Sequence, residues 1–536
     1  MASVAPSTRS SRRWRTTAGP TLLSAIAVVV VASAAPASAA EGVHSVSVGL
    51  PPTAIAIDAA AHTAYVAVSD GVTDQVAIVD TAHCNGHAKS GCRSDVNAVT
   101  LENGAGPAGL AFDAANHTVY VADSNTGDVS MINAAKCNAT TTTGCASAPK
   151  VAALGLISPS AVAVDTSRGA DVFYVADESN RTVTVVNGAT CNATKSTGCG
   201  TVKTATVGSA PSAIAVDPAV GTTYVANLGN DTVRTLNESA CAKLTAACAK
   251  AGKIVSLGAG ASPVALVADP GAKTLFVADS GTGAVSFLNT ATCNVTVKKG
   301  CAKTPRSQAG ITAPAGLALT PSGHVAVADS GDDAIIVVNG ATCNATKTAG
   351  CASVEVDLLG GSPVAVAASG SSVYAADSTM NSLDVIGIPS ITAKVTSKHH
   401  KTKFGWYRSP ITVAFTCHAG TASLTKACPS PVKLRKNGRN HSVTKTVAST
   451  DGGRATVTVS KLNLDQTKPT VKVTGVKNGK TYTTPPTLKC KAHDALSGVA
   501  SCRITRRHHG NVVRYVATAK DKAGNIRTAH GRYRVA

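Results

Sequence analysis

At 536 residues, with 44% hydrophobic and 15% charged positions, the chain is too long for one ordinary domain and too apolar for wholesale disorder. Two or more folded units are expected. The formal net charge of +20 excludes an acidic, self-solvating chain, and its distribution decides whether a polyanion partner is implied.

In chain order, Arg9, Arg12, Arg13 and Arg15 precede the apolar run "LLSAIAVVVVASAA" and the small residues "APASAA". This is the pattern of an export signal spanning residues 1–40, with cleavage near Ala39 or Ala40. "SRRW" resembles a twin-arginine signal, but Arg15 and Thr16 stand where its apolar pair belongs, which favours the general secretory route. No later stretch approaches the roughly 18 unbroken apolar residues of a spanning helix. A secreted, extracellular or envelope-associated protein without a membrane span is expected.

From Pro52 a unit of about fifty residues repeats, a period that points to a propeller or solenoid. "PTAIAIDAAAHTAYVAVSDGVTDQVAIVD" returns as "PAGLAFDAANHTVYVADSNTGDVSMIN", "PSAVAVDTSRGADVFYVADESNRTVTVVN" and "PSAIAVDPAVGTTYVANLGNDTVRTLN". Three further copies begin at Pro263, Pro314 and Pro363. Each holds three short apolar runs separated by Asp, Pro, Gly and Asn, then a cysteine-bounded loop and a fourth run. Four antiparallel strands repeated radially make a propeller blade. The seventh copy lacks the loop and fourth run, whereas "VHSVSVGL" (43–50) stands alone before the first copy. That strand is expected to complete the last sheet and remove its open edge.

The frame "P-x-x-x-A-V-D … V-Y-V-A-(D/N)" resembles the YVTN-type repeat family, YncE-like and related to NHL-repeat propellers, over about residues 43–388. The resemblance implies an all-β, seven-bladed β-propeller at 41–389. It leaves activity open, since related propellers include binding proteins, surface-layer proteins and lyases or lactonases.

The sixteen cysteines fall into eight close pairs. Six lie in the repeats: Cys84 with Cys92, Cys137 with Cys145, Cys191 with Cys199, Cys241 with Cys248, Cys293 with Cys301, and Cys343 with Cys351. Two lie beyond them, Cys417 with Cys428 and Cys490 with Cys502. In an exported chain these read as local disulfides. Zinc would need four ligands, and no recurrent His accompanies the pairs.

After Pro389 the composition changes. "GWYRSPITVAFTC…CPSPVKL" and "DALSGVASC…ATAKDKAGN" resemble bacterial Ig-like repeats, which implies two small β-sandwiches at 390–467 and 468–536. Residues 389–536 hold 28 basic and 4 acidic residues, net +24, whereas 41–388 hold 18 basic and 26 acidic, net −8. The clusters containing Lys398, Lys401, Lys403, Lys433, Arg435, Lys436, Arg439, Arg503, Arg506 and Arg507 are candidate polyanion contacts. An anionic cell-wall polymer ranks first as partner. Nucleic acid follows it, because the tail has few aromatic rings and several occupy strand positions that a core would claim.

On the propeller, the loops leading into each first strand and those joining second to third strands are expected on one face. Six second strands end in Asp123, Asp177, Asn227, Asp279, Asp329 and Asp377, with Val68 breaking the series. Such a ring of oxygens suits a cation or basic ligand, but turn caps bonding their own backbone explain the repetition without a ligand and are the preferred reading. The unrepeated polar residues there, Glu102, Asn103, Glu178, Asp332 and Asp333, are the acid/base candidates of a competing reading as a metal-dependent lyase or lactonase. No cofactor is assigned, Ca²⁺ being the one ion considered. The aromatic series Tyr65, Tyr120, Tyr174, Tyr224, Phe276 and Tyr374 reads as packing between blades. The sequons at Asn138, Asn192, Asn294 and Asn344 read as backbone-bonding turn positions. The preferred expectation is a monomeric, non-catalytic scaffold, its tail on an anionic envelope or matrix and its propeller face presenting a binding surface for a ligand the sequence does not name.

Overall fold

A computed structural model describes residues 43–536 except 87, 89, 93–95, 168–170, 249–251, 349–350, 352–354, 420–422 and 449–453. The expected export signal lies outside the described residues.

Each repeat begins with a proline, which has no N–H to give to a ladder and is tolerated at the first position of a strand. In every blade the register shifts immediately after it, so a bulge follows each of these prolines. In blade 1 the strands are Pro52–Asp58, Thr63–Ser69, Asp74–Asp80 and Asn97–Thr100, paired antiparallel in sequence order. Five further sheets repeat that order, with first strands beginning at Pro107, Pro159, Pro211, Pro263 and Pro314. The second strands, such as Thr118–Asp123 and Thr222–Asn227, are buried along their whole length. Both of their faces are covered by neighbouring blades, so their sequences run V-Y-V-A without polar alternation.

The seventh sheet comprises Pro363–Ser369, Ser372–Asp377 and Ser382–Gly387, with His44–Ser47 as its outermost strand. His44 pairs with Val385 and Ser47 with Ser382. Inner strands lie side by side from blade to blade, and Pro363–Ser369 lies beside Pro52–Asp58, which closes the circle. The repeat region is a β-propeller. Near the axis, the Thr53, Ser160 and Ser212 hydroxyls donate to the carbonyls of Pro107, Pro211 and Pro263 in the next blade, at 2.6, 2.5 and 2.6 Å.

All eight close cysteine pairs are disulfide-bonded. In the propeller Cys84 is joined to Cys92, Cys137 to Cys145, Cys191 to Cys199, Cys241 to Cys248, Cys293 to Cys301, and Cys343 to Cys351. In the tail Cys417 is joined to Cys428 and Cys490 to Cys502. Each bond closes a loop or hairpin within its own blade or module, the longest spanning 12 positions.

The propeller loops also fasten one blade to the previous one. The Tyr65 hydroxyl donates to the Cys137 carbonyl at 2.9 Å, Tyr120 to Cys191 and Tyr224 to Cys293 at 2.8 Å, and Tyr374 to Cys84 across the closure at 3.3 Å. Beside these bonds, the N–H groups of Ala139, Ala193, Val295 and Ala345 donate to Thr63, Thr118, Thr222 and Thr274. The aromatic series therefore packs and also latches. The sequon asparagines are 7%, 2%, 4% and 4% exposed in chain order, and each side chain bonds backbone, which leaves no access for a glycan. In the first loop Gly86 replaces the alanine of "N-A-T". A Cβ there would overlap the Gly387 backbone, so the seam admits only glycine.

One loop departs from the all-β expectation. In blade 4, "ESACA" forms a helix over Glu238–Ala242, capped by the Asn237 side chain, which accepts from the Ala240 N–H at 3.2 Å. Here the turn-forming N-A-T is replaced by Ala-rich sequence with higher helix propensity.

Beyond Pro389, two pairs of sheets follow. In the first, Ser390–Ser397, Ile411–His418 and Val432–Leu434 form one sheet; Trp406–Tyr407, Arg454–Leu464 and Gly438–Ala448 form the other. Ile411, Val413, Val443, Leu462 and Leu464 pack between them. In the second, Thr470–Thr474 and Lys489–His493 face a sheet ordered Thr481–Tyr482, Ile526–Val535, Val512–Asp521 and Val499–His509. Its core holds Leu488, Val513, Tyr515 and Tyr533.

Candidate functional site

The six Asx residues that end the second strands are all buried, at 0–2% exposure. In each strand the Asx shares its side with residues that pack on the preceding blade: Asp123 follows Val119 and Val121, which join Val76 and Ile78 of blade 1 in one cluster. The series thus points between blades. Asp177 accepts the N–H groups of Ile157 and Ser158, and Asp329 those of Thr312 and Ala313, so both cap the loop leading into their own blade. Asp377 accepts from Thr379 and Met380 in its own turn. Asn227 instead donates to the Thr232 hydroxyl, and Ser286 donates to Asp279.

Burial pushes the Asp123 carboxyl up to about 7; the Ser130 hydroxyl and N–H oppose the shift, while Asp128 and Asp74 add to it. Asp279 is likewise pushed up to about 7 by burial, against the Ser286 hydroxyl and with a contribution from Asp231. Both keep their proton well above the pH at which an ordinary carboxyl ionises.

The face carries one strong departure from symmetry, between blades 1 and 2. The second hairpin of blade 1 is one residue pair longer than its counterparts, through Ser69 and Asp74. Asp74 is fully buried on the side of Val76, which faces blade 2, and neither carboxylate oxygen has a hydrogen-bond partner. Asp123 turns toward the same interface with its Oδ1 unpartnered. Burial and then Glu102 raise Asp128 above the usual carboxylate range. Glu102 and Asn103 are exposed beside this acidic group. Asp74 and Asp128 escaped the sequence reading; the hairpin extension that places Asp74 is visible only as an irregular spacing of "VSDGVTDQV".

The other asymmetric candidates stand apart from it. Glu178 is exposed in blade 3. Asp332 and Asp333 are exposed in blade 6, where Asp332 accepts the Thr312 hydroxyl at 2.6 Å and Asp333 has a left-handed φ of 51°. His62 and His117 occupy left-handed turn positions, φ 48° and 52°, in the first-to-second-strand turns of the opposite face. The cysteines supply no chemistry to either face, since among the described residues none is a free thiol.

In the tail, all ten basic candidates are exposed. Arg439 is partly engaged: it donates to the Leu496 carbonyl of the second module and lies 5.5 Å over the Trp406 ring. Further bonds join the two modules, among them one from the Thr402 hydroxyl to the Lys522 carbonyl at 2.8 Å. The Ser497 N–H donates to Asp465 Oδ2 at 3.1 Å, the Asn525 amide to the Asp465 carbonyl at 2.8 Å, and the Arg408 guanidinium to the Gly524 carbonyl at 3.1 Å. Asp465, Asp494 and Asp521 each offer an oxygen within 4.8 Å of the others, an all-oxygen set of the kind a hard cation takes. Burial, with a contribution from Asp465, raises Asp521 above the usual range. These three are the described carboxylates of the tail, and all turn into the junction. Among the described residues no lysine or arginine of the tail forms an ion pair.

No protein-family model and no curated protein matches the chain. Among solved structures it is similar to virginiamycin B lyase from Staphylococcus aureus, at 10% identity over 65% of this chain and 99% of that one, TM-score 0.47. It is also similar to Kuenenia stuttgartiensis hydrazine synthase, at 14% identity over 64% and 97%, TM-score 0.46. The Cps50 (Swd1) β-propeller domain of Myceliophteria thermophila aligns at 8% identity over 63% and 96%, TM-score 0.44. At these identities the likeness concerns the shape of the propeller and carries nothing about activity. Among the described residues, no helix is long and apolar enough to cross a membrane.

Proposed function

We propose that the chain is an exported binding protein whose basic C-terminal modules, Ig-like in kind, hold it on an anionic envelope or matrix polymer while the propeller presents a binding face. The observation that carries this reading is the segregation of charge. A net +24 is confined to residues 389–536, and the described carboxylates of that segment are consumed at the junction between its modules. Among the described residues no carboxylate pairs with the tail's lysines and arginines, so counter-ions or a polyanion must neutralise them. The disulfides in every cysteine-bearing loop support an oxidising location, since such bonds persist outside the cytosol. On the propeller face, the exposed Glu102 beside the buried Asp74 and Asp123 is where a basic ligand would meet acidic charge.

The test is binding of the full exported chain to immobilised poly(glycerol phosphate) across a salt series. Each phosphate contact releases counter-ions, so the logarithm of affinity should fall linearly with that of salt, by about 0.7–0.9 per contact. A flat response would defeat the reading.

A further inference from the structure

The geometry points to the outer face of the last sheet as the phosphate-recognition surface of the tail, with Arg507, Arg514 and Arg532 as its centre and a linear phosphodiester polymer lacking bases as its ligand. This rests on the anchoring reading above and names the site that performs it.

The three arginines come from three neighbouring strands and are paired directly, Arg507 with Arg514 and Arg514 with Arg532. Adjacent strands lie about 4.8 Å apart, so three guanidinium stems rise side by side in one row across the sheet. Like charges directly opposite each other destabilise a sheet, and this row has no carboxylate among its described neighbours. On the same face, Arg503 and Thr505 flank it on one strand, and His530 and Arg534 on another, all exposed. Thr505, Arg507, Arg514, Val516, His530 and Arg532, with Asn478, line a groove of ≈ 720 Å³ that Tyr515, 6% exposed and turned to the inner face, meets only from beneath.

A cost in stability repeated across three strands is relieved by an anion that spans them. A phosphodiester suits the row because its tetrahedral phosphorus carries one negative charge shared over two non-bridging oxygens, which can bridge the guanidinium forks of adjacent strands. The opposite face explains why bases are not part of the ligand. Tyr515 and Tyr533 alternate inward and are buried at 6% and 1% exposure, and Tyr482 packs edge-on against Tyr533. The groove face carries the aliphatic Val512 and Val516 where a single-stranded nucleic-acid surface would carry stacking rings.

The experiment compares the full chain with two triple variants of equal charge change: Arg507→Gln, Arg514→Gln, Arg532→Gln in the row, and, at exposed lysines outside the candidate clusters, Lys394→Gln, Lys426→Gln, Lys461→Gln in the first module. The probes are poly(glycerol phosphate) and a single-stranded oligonucleotide of matched charge. The row variant should bind poly(glycerol phosphate) about tenfold to a hundredfold more weakly at 0.1 M salt, with the salt slope reduced by about 2–3. The first-module variant should change affinity by less than about threefold, as contacts with diffuse screening do. Melting without polymer should be unchanged or higher for the row variant, which verifies folding, and polymer should raise the wild-type melting point more than that of the variant. Equal weakening by both triples would overturn the site, as would a row variant that loses oligonucleotide binding alone. Tight wild-type binding with an indifferent row variant would overturn this inference and leave the anchoring reading standing. No wild-type binding to poly(glycerol phosphate) would remove both.

Discussion

Replacing Asp123 by asparagine should stabilise the propeller at alkaline pH. The carboxyl is buried between blades 1 and 2 and pushed from 3.8 up to about 7, by burial first and then by Asp128 and Asp74. The sign follows from linkage. Between about pH 4 and pH 7 the unfolded chain releases this proton while the folded chain keeps it, so folding stability falls as pH rises through that window. A shift of about three units corresponds to about 4 kcal/mol at full development, at about 1.4 kcal/mol per unit. Asparagine keeps an oxygen to accept from Ser130 and cannot ionise. Asp123→Asn should therefore melt within about a degree of wild type at pH 4 and several degrees above it at pH 8, taking about 2 °C per kcal/mol for a large domain. Calorimetric scans of both proteins from pH 4 to pH 8 give the comparison. If Asp123→Asn is less stable at pH 8, or if the two pH profiles run parallel, the carboxyl is ionised and compensated in the fold and the argument is wrong.

Three other outcomes are expected. Tyr120→Phe should lower stability by about 1–2 kcal/mol in urea titration, since it removes the bond to the Cys191 carbonyl at a buried site; no change in midpoint would deny the latch. Removing residues 43–50 exposes the edge of the Ser382–Gly387 strand, so the shortened protein should melt lower and associate in sedimentation analysis, whereas an unaltered monomer would contradict closure by His44–Ser47. Asp465→Ala deletes acceptors for the Thr467 and Ser497 N–H groups, and limited proteolysis should then cut between the tail modules faster than in wild type.

The repeat frame, the cysteine pairing and the closing strand were legible because each is written as local pattern: apolar runs of strand length, cysteines eight positions apart, a fourth strand missing at one end and present at the other. What escaped the sequence depends on register between distant segments. Asp74 is hidden by a hairpin one pair longer than its counterparts. Arg514 and Arg532 look like scattered tail cations until pairing with Arg507 aligns them. Asp465 and Asp494 come from loops and Asp521 from a strand end, in two modules. Capping of their own turns holds for Asp377, Asp177 and Asp329, which accept from Thr379, Asn180 and Gly331, but Asp177 and Asp329 also reach the preceding loop and Asp279 takes a third-strand serine. Identical residues at equivalent repeat positions found different partners because their neighbours, not their strands, differ.

The tyrosine bonds to the cysteine loops set the direction in which damage spreads. Since Tyr120 leans on the carbonyl of Cys191, a reductant that frees Cys191 from Cys199 unsettles blade 2 as well as the blade that carried the bond. Tyr374, bonded to Cys84, passes the same dependence from the first loop to the last blade. An injury to a loop is therefore felt in the neighbouring blade on one side of the ring, upstream in the chain everywhere except at the closure, where the first loop acts on the last blade.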